Sequence, residues 1–190
     1  MTQGYHAAAM DDIAERAGVS KPVLYQHFPG KKELYLALLD AGVESLFGAV
    51  REALSSTEDN GERVAATIGA YFDFVDDPNG AYRLVFESDL VNEDEVRRRV
   101  ERADEMCAAQ VAVVIAADTG LSEDEAMLLA TGLTGMAQTS ARRWLRNRRA
   151  LPKDTATRLV MGLAWRGISA FPRTHPNAGG PPISPRPRDA

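Results

Sequence analysis

Apolar residues recur at helical spacing along most of the chain, and two long stripes stand out. The first repeats at intervals of three or four residues and consists of Leu39, Val43, Leu46, Val50 and Leu54. Such spacing places these side chains on one face of a helix, which we predict over residues 31–54. A second stripe over residues 64–75 predicts another helix, which the sequence DDPNG should end.

Capping patterns mark the starts of the later helices. Asn92 and Ser122 each begin a cap-x-x-Glu pattern, which predicts helices over residues 92–118 and 122–149. The run CAAQVAVVIAA in the first of these is apolar nearly all round, so we expect it to be buried on all sides. A last helix should begin at Pro152.

The remaining segments complete an all-helical layout. A short piece is expected over residues 81–88, and the Pro-rich tail from residue 172 should be disordered because it cannot pack a core. The pattern predicts about nine helices, without a sheet or an internal repeat. We therefore predict an all-α fold.

Two short helices near the amino terminus resemble a hairpin. The first is expected over residues 10–17, with Gly18 ending it. Ser20 can cap the second, which has Pro22 in its first turn and ends before Pro29-Gly30. We expect an inner face that holds the helices at their angle, formed by Ile13, Ala17, Val19, Leu24 and Phe28. Two short helices joined by a Gly-containing turn are the signature of a helix-turn-helix.

The charge and the cysteine content limit the classes of protein. The net charge is −5, from 22 basic and 27 acidic residues. This excludes a basic nucleic-acid coat, but it leaves room for a small DNA-binding surface because phosphate contacts depend on local charge. One cysteine, Cys107, allows no internal disulfide. With no signal peptide and no membrane-length apolar run, we expect a cytoplasmic protein that makes no membrane contact.

No set of residues indicates catalysis or metal binding. The three histidines, His6, His27 and His175, are far apart in sequence, and none stands in a zinc-binding pattern. We interpret Cys107 as an inert core thiol, since buried structural cysteines are usually unreactive. We therefore predict a protein that is not an enzyme and that needs no cofactor or metal.

The segment MDDIAERAGVSKPVLYQHFPGKKELY resembles the DNA-binding segment of TetR-family transcriptional regulators. The matching positions are Ile13-Ala14, Ala17 to Ser20, Leu24-Tyr25, His27-Phe28, and Lys31 with Leu34. The resemblance implies a helix-turn-helix region over residues 1–35. It also implies a helical regulatory and dimerisation domain over residues 36–171, ahead of the tail at 172–190.

The resemblance further implies roles for single residues of the hairpin. Lys21, Pro22, Val23 and Gln26 would face base edges. Tyr25, His27 and Lys31 would contact phosphates and fix the register, which is the usual division between reading and positioning. The alternatives are that Tyr25 is a core aromatic, that His27 is a plain surface residue, and that Lys31 and Lys32 form a solvated pair.

Two features depart from the family pattern. Position 9 holds Ala9 where members usually have a capping Thr or Ser, and such a loss costs about 1 kcal/mol. The amphipathic helix that members place before Gly4-Tyr5 would precede residue 1. We expect a start codon set too late, with a truncated chain or a weakened DNA-binding region as alternatives. These features keep open a second function, a helical ligand-binding dimer with impaired or lost DNA binding.

The resemblance also implies the regulatory behaviour. A homodimer formed through the last two helices would bind palindromic double-stranded operator DNA. We expect it to act as a repressor that a small-molecule effector releases from the DNA. Intrachain packing of those helices is the alternative. Candidate effector contacts are Tyr71, Phe72, Phe86, Met106, Gln110 and Met136, since aromatics and methionines line apolar pockets. Each of these residues could instead belong to the core.

Overall fold

The computed structural model describes residues 9–77, 82, 93–147 and 150–167, and all regular structure in these ranges is α-helical. The amino-terminal helices are α1 (Met10–Ala17), α2 (Lys21–His27), α3 (Lys31–Ser55) and α4 (Asn60–Asp76). The later helices are α5 (Asp94–Thr119), α6 (Glu123–Arg146) and α7 (Lys153–Arg166). The all-α prediction is confirmed, and the described residues hold seven helices. The predicted piece at 81–88, apart from residue 82, and the predicted tail lie outside them.

Local signals explain where most helices begin and end. Gly18 and Gly120 follow α1 and α5 in the left-handed conformation, with φ of 68° and 71°, which favours glycine. At α6 the predicted capping box is confirmed, because Ser122 accepts from the Glu125 amide and the Glu125 carboxylate accepts from the Ser122 amide. Asp59 caps α4 in a similar way.

The capping box predicted at Asn92 is wrong, because the N-cap of α5 is Glu93 and its side chain makes no capping hydrogen bond. Glu95 was expected to turn back to the start of the helix. Its two carboxylate oxygens instead pair with Lys32 and Arg99. One tertiary ion pair and one i,i+4 pair within α5 therefore replace the capping motif.

The core of the helical body lies between α3, α4, α5, α6 and α7. Leu39 and Val50 of the predicted α3 stripe are fully buried, and the rings of Phe72 and Trp144 lie 5.6 Å apart between α4 and α6. The Trp144 indole donates to the Leu151 carbonyl at 2.7 Å, which ties α6 to the segment before α7. The body therefore has a continuous core that spans five helices.

The expectation that the apolar half of α5 is buried on all sides is wrong. Cys107 and Val111 are buried, but Val113 is 70% exposed. The helix packs between α3 and α6, and Val113 lies on its outer side. None of the helices that the structure describes has the length and apolar content that a membrane crossing requires.

Candidate DNA-binding surface and regulatory cavity

Helix α2 presents nearly its whole surface to solvent. Its one buried residue is Leu24, which is 7% exposed. The exposed residues include six of the seven predicted DNA contacts, namely Lys21, Pro22, Val23, Tyr25, Gln26 and His27. The structure therefore brings these six side chains together on one short, projecting helix.

A small core of its own holds α2 in place. Met10 and Ala14 of α1, Leu24 of α2 and Leu34 of α3 form a buried cluster, against which Ile13 and Phe28 pack. We call residues 9–34 the reading head. The turn between its first two helices is closed by a hydrogen bond from the Val19 amide to the Ala14 carbonyl at 3.1 Å.

Part of the predicted inner face is wrong. Ala17 is exposed and Val19 is 39% exposed. Met10 and Ala14 take their places because they are one helical turn apart on the side of α1 that faces Leu24. Ser20 occupies the N-cap position of α2, and Ala9 that of α1, but neither side chain makes a capping hydrogen bond. The hairpin is thus held by packing rather than by caps.

The charges of the reading head are partly neutralised within it. Lys21 Nζ lies 2.5 Å from Asp11 Oδ2, and this hydrogen bond raises the pKa of the lysine. Both partners are well exposed, so the pair is readily exchanged for another anion. Lys31 is half-buried at the start of α3. Lys32 pairs with Glu95 at 2.9 Å, which argues against a simple solvated lysine pair.

Exposure of the aromatic side chains of α2 excludes the alternative for Tyr25 and leaves that for His27 open. Tyr25 is 46% exposed and therefore is not a core aromatic. His27 is exposed at the last turn of α2, with its ring 6.4 Å from that of Phe28. Both side chains are accessible to a partner that approaches α2.

A cavity of about 800 Å³ lies in the helical body between α4, α5, α6, α7 and the end of α3. Its wall is mainly apolar and includes Val64, Val111, Ile115, Leu133, Met136 and Leu163. Polar groups occur on the α4 side, where Arg63 lies 3.4 Å from Asp118 of α5. The hydroxyl of Thr67, also in the wall, is buried and has no hydrogen-bond partner among the residues described.

The predicted effector residues do not all meet at this cavity. Met136 lines it. Tyr71 and Phe72 are buried in the core, Met106 is half-buried, and the Gln110 amide donates to the Phe47 carbonyl at 3.3 Å. Phe86 lies outside the described residues. Thr67 and Arg63 were missed because neither a threonine nor an arginine on a helix signals a cavity by itself.

A half-buried carboxyl group lies between α5 and α6. Asp104 of α5 accepts from the Gln138 amide of α6 at 3.1 Å, and burial raises the pKa of its carboxyl to about 6. Burial also raises the pKa of the Cys107 thiol to about 11, so this cysteine is held in the neutral form. That agrees with the interpretation of Cys107 as an inert core thiol.

Helices α6 and α7 also carry exposed apolar side chains. On α6, Leu128 is 75% exposed; on α7, Trp165 is 53% exposed, and Leu159 and Leu163 are partly exposed. All of these except Leu159 also line the cavity. Large exposed apolar residues on neighbouring helices indicate an interaction surface.

The exposed helix α2 lies on a small packed hairpin, and this hairpin is joined to a larger helical body with an apolar cavity. This architecture is typical of helix-turn-helix regulators. Residues 1–38 match the family model for bacterial regulatory proteins of the tetR family. The chain is 48% identical over 172 residues to the HTH-type transcriptional activator FasR of Mycolicibacterium smegmatis, a match that covers 90% of this chain and 78% of FasR. The chain therefore belongs to the tetR family and is a transcriptional regulator.

Solved structures with the same fold are more distant in sequence. The regulator FadR from Bacillus subtilis, solved in complex with stearoyl-CoA, has a TM-score of 0.69 and 19% identity, with 87% of this chain and 91% of that chain covered. The fatty acid degradation regulator FadR from Bacillus halodurans has a TM-score of 0.71 and 16% identity, with 86% and 87% covered. FasR is named an activator, whereas we expected a repressor.

Proposed function

We propose that this regulator binds palindromic operator DNA as a homodimer through α2 and that a small-molecule effector controls this binding. The observation that carries the proposal is the exposure of α2, which buries Leu24 alone and leaves six polar or accessible side chains free to approach a groove. A short exposed helix of this kind fits the major groove, which is about 12 Å wide.

The exposed residues of α2 divide into two roles. Lys21, Pro22, Val23 and Gln26 read base edges. Tyr25 and His27, together with Lys31 at the start of α3, contact phosphates and fix the register. Lys21 exchanges Asp11 for a DNA acceptor, which costs little because the ion pair is exposed.

Dimerisation through α6 and α7 is supported by their exposed apolar side chains. Leu159 of α7 is 46% exposed and does not line the cavity, whereas the exposed Leu128 and Leu163 do. A methyl group added at Gly135 of α6 would meet no atom of the described chain within 4 Å, so α6 has room for a close helix partner at this position. A symmetric dimer holds two reading heads about one helical turn of DNA apart, ~34 Å.

The 800 Å³ cavity is the proposed effector site. Its size lies within the range of about 300–1,000 Å³ that is common for ligand pockets, and its wall is largely apolar. FadR from Bacillus subtilis was solved with stearoyl-CoA. We propose a long-chain acyl compound as the effector, with its chain along the apolar wall, the Thr67 hydroxyl donating to a carbonyl oxygen, and Arg63 facing an anionic group.

Effector binding changes DNA affinity by linkage. A ligand that binds better to one spacing of the two reading heads shifts the dimer towards that spacing, and DNA affinity changes by the same coupling free energy. Activation and repression follow from the position of the bound site relative to the promoter, since the same contact with DNA can recruit or exclude a polymerase.

DNA binding is tested by selecting sites from a random duplex library with the wild-type protein and titrating the selected site at several salt concentrations. We expect an inverted repeat whose affinity falls steeply as salt rises. Lys21→Gln should weaken binding, whereas Arg51→Gln, an exposed change on α3 away from α2, α6 and α7, serves as a control. Failure to enrich any site would refute the proposal and leave the ligand-binding dimer without DNA binding.

The effector site is tested by calorimetric titration with stearoyl-CoA. Thr67→Val removes a buried hydroxyl that has no partner in the described chain, so it should leave the free protein as stable as before or slightly more stable. The same change should weaken stearoyl-CoA binding by about ten-fold. Unaltered binding to Thr67→Val, or no binding to the wild type, would contradict this assignment.

A further inference from the structure

Four charged side chains form a network between the first part of α3 and the first part of α5. Lys32 Nζ lies 2.9 Å from Glu95 Oε2. Arg99 donates to Glu95 Oε1 at 3.1 Å and to the two carboxylate oxygens of Asp40 at 3.0 and 2.9 Å. We call Lys32, Asp40, Glu95 and Arg99 the α3–α5 ion-pair network.

This network lies where the chain passes from one core to the other. Leu34, two residues after Lys32, belongs to the core of the reading head, and the next residue, Tyr35, belongs to the core of the body. Asp40 lies about one and a half helical turns after Tyr35 on α3. The network therefore braces the segment of α3 through which the reading head is attached.

The geometry makes the network stronger than an isolated surface pair. Arg99 is only partly exposed, and its two terminal nitrogens bridge two carboxylates, because Nη1 donates to both oxygens of Asp40 and Nη2 donates to Glu95. Glu95 is shared between Lys32 and Arg99, and these two hydrogen bonds lower the pKa of its carboxyl. A network of shared charges holds its geometry better than single exposed pairs do.

The other end of α5 reaches the cavity. The helix has 26 residues, which corresponds to a length of about 39 Å. Its last third lines the cavity with Val111, Ile115 and Asp118, whereas Glu95 and Arg99 lie in its first two turns. A helix is a stiff element, so a displacement at one end is passed to groups held at the other.

We infer that the α3–α5 ion-pair network positions the reading head relative to the body and so sets the spacing of the two α2 helices in a dimer. The four side chains of the network are positioning residues. They orient the reading head without contacting DNA. The inference rests on the proposed function, because spacing matters only to a dimer that binds two half-sites. Movement of α5 by an effector is transmitted to the reading head through these four residues.

A direct contact of Lys32 with a phosphate is the competing explanation, and it makes a different prediction. If Lys32 contacted a phosphate, its release from Glu95 would increase DNA affinity, and the increase would be seen with a single half-site as well as with the complete operator. A positioning network instead affects the complete operator and leaves a single half-site unaffected.

The test uses the full chain and duplexes that carry either the selected inverted repeat or one half of it, with affinity measured by fluorescence anisotropy. We expect Glu95→Gln to weaken binding to the complete site by about three- to ten-fold, with no change on the half-site. Adding Lys32→Gln should weaken complete-site binding no further, because both changes remove the same interaction. Arg97→Gln is the matched control, since Arg97 pairs with Asp94 and Glu101 within α5 itself.

Equal effects of Glu95→Gln on both duplexes, tighter binding by Glu95→Gln, or no effect would each overturn the inference. If the wild-type protein selects no DNA, the proposed function fails, and a second measurement still decides about the network. Hydrogen exchange of the backbone amides in residues 10–28 should then be faster in Glu95→Gln than in Arg97→Gln, with equal thermal midpoints. Equal exchange in the two variants would overturn the positioning role.

Discussion

The reading head and the helical body each pack around a hydrophobic core, but the two cores differ greatly in size. The core of the head consists of Met10, Ala14, Leu24 and Leu34, whereas the body core joins five helices around fully buried residues such as Leu39 and Phe72. So small a cluster removes little apolar area from water and gives little stability. The reading head therefore depends on its attachment to α3, whereas the body is stable by itself.

The largest effect is expected from the body core. Leu39 is fully buried, so Leu39→Ala should lower the free energy of unfolding of the whole chain by about 2–5 kcal/mol. Denaturant unfolding followed by far-ultraviolet circular dichroism measures this. Leu38→Ala is the matched control, since Leu38 is the neighbouring leucine of α3 and is 45% exposed. Similar losses for the two variants would contradict the placement of the core.

The corresponding change in the head should act locally. Leu24→Ala removes one of the four buried side chains of its cluster, at a local cost of about 2–4 kcal/mol. We expect specific DNA binding to be lost and amide exchange in residues 10–28 to accelerate, while the unfolding midpoint of the body stays near that of the wild type. Val23→Ala, an exposed change on α2, controls for the exchange measurement. A shift of the global midpoint as large as that of Leu39→Ala would show that head and body form one cooperative unit.

The half-buried Asp104 should make the free energy of unfolding of the body depend on pH. Burial raises the pKa of Asp104 from 3.8 to about 6, so the folded chain retains a proton that the unfolded chain has lost between these values. Stability contributed by Asp104 therefore falls as pH rises through this window and is constant above it. Asp104→Asn cannot ionise and can still accept from Gln138.

We expect Asp104→Asn to stabilise the protein by on the order of 2 kcal/mol at pH 7.5 and to have almost no effect near pH 4. Thermal unfolding at a series of pH values measures the difference. Glu105→Gln, an exposed neighbour on α5, should show no comparable pH-dependent gain. Stabilisation that grows towards low pH would have the wrong sign and would refute the buried-carboxyl explanation.

The smallest expected difference in the free energy of unfolding concerns two serines at helix starts. Ser122 completes a capping box at α6, so Ser122→Ala should cost about 1 kcal/mol in the free energy of unfolding. Ser20 stands at the N-cap of α2 without a side-chain capping bond, so Ser20→Ala should leave the unfolding free energy nearly unchanged. Denaturant titration of both variants checks the pair. A cost for Ser20→Ala equal to that for Ser122→Ala would mean that the head uses its cap after all.

Sequence reasoning predicted the reading head well because its signals act over a few residues. Gly18 and the Pro29-Gly30 pair determine where the two short helices end, and the helix bounds of α1 were predicted to the residue. Its inner face was predicted less well, since the exposure of Val19 depends on the crossing of α1 and α2 rather than on local spacing.

The functional groups of the body were harder to predict. The α3 stripe was correct, but spacing alone does not report which faces of neighbouring helices enclose a cavity. Thr67 and Asp118 lie 51 positions apart in sequence, and only the packing of α4 against α5 brings them to one cavity. The roles of Tyr71, Phe72 and Met106 as effector contacts stay predictions.

By itself, the sequence determined the helical class, the bounds of most helices and the family of the DNA-binding hairpin, because helix propensity, caps and turns depend on near neighbours. Only the tertiary structure decided that Glu95 binds Lys32 of α3 instead of capping α5, that Val113 is exposed, and that Thr67 lines a cavity. These outcomes depend on side chains that meet across the fold from distant positions, and the free energy of such contacts is not encoded in any local pattern.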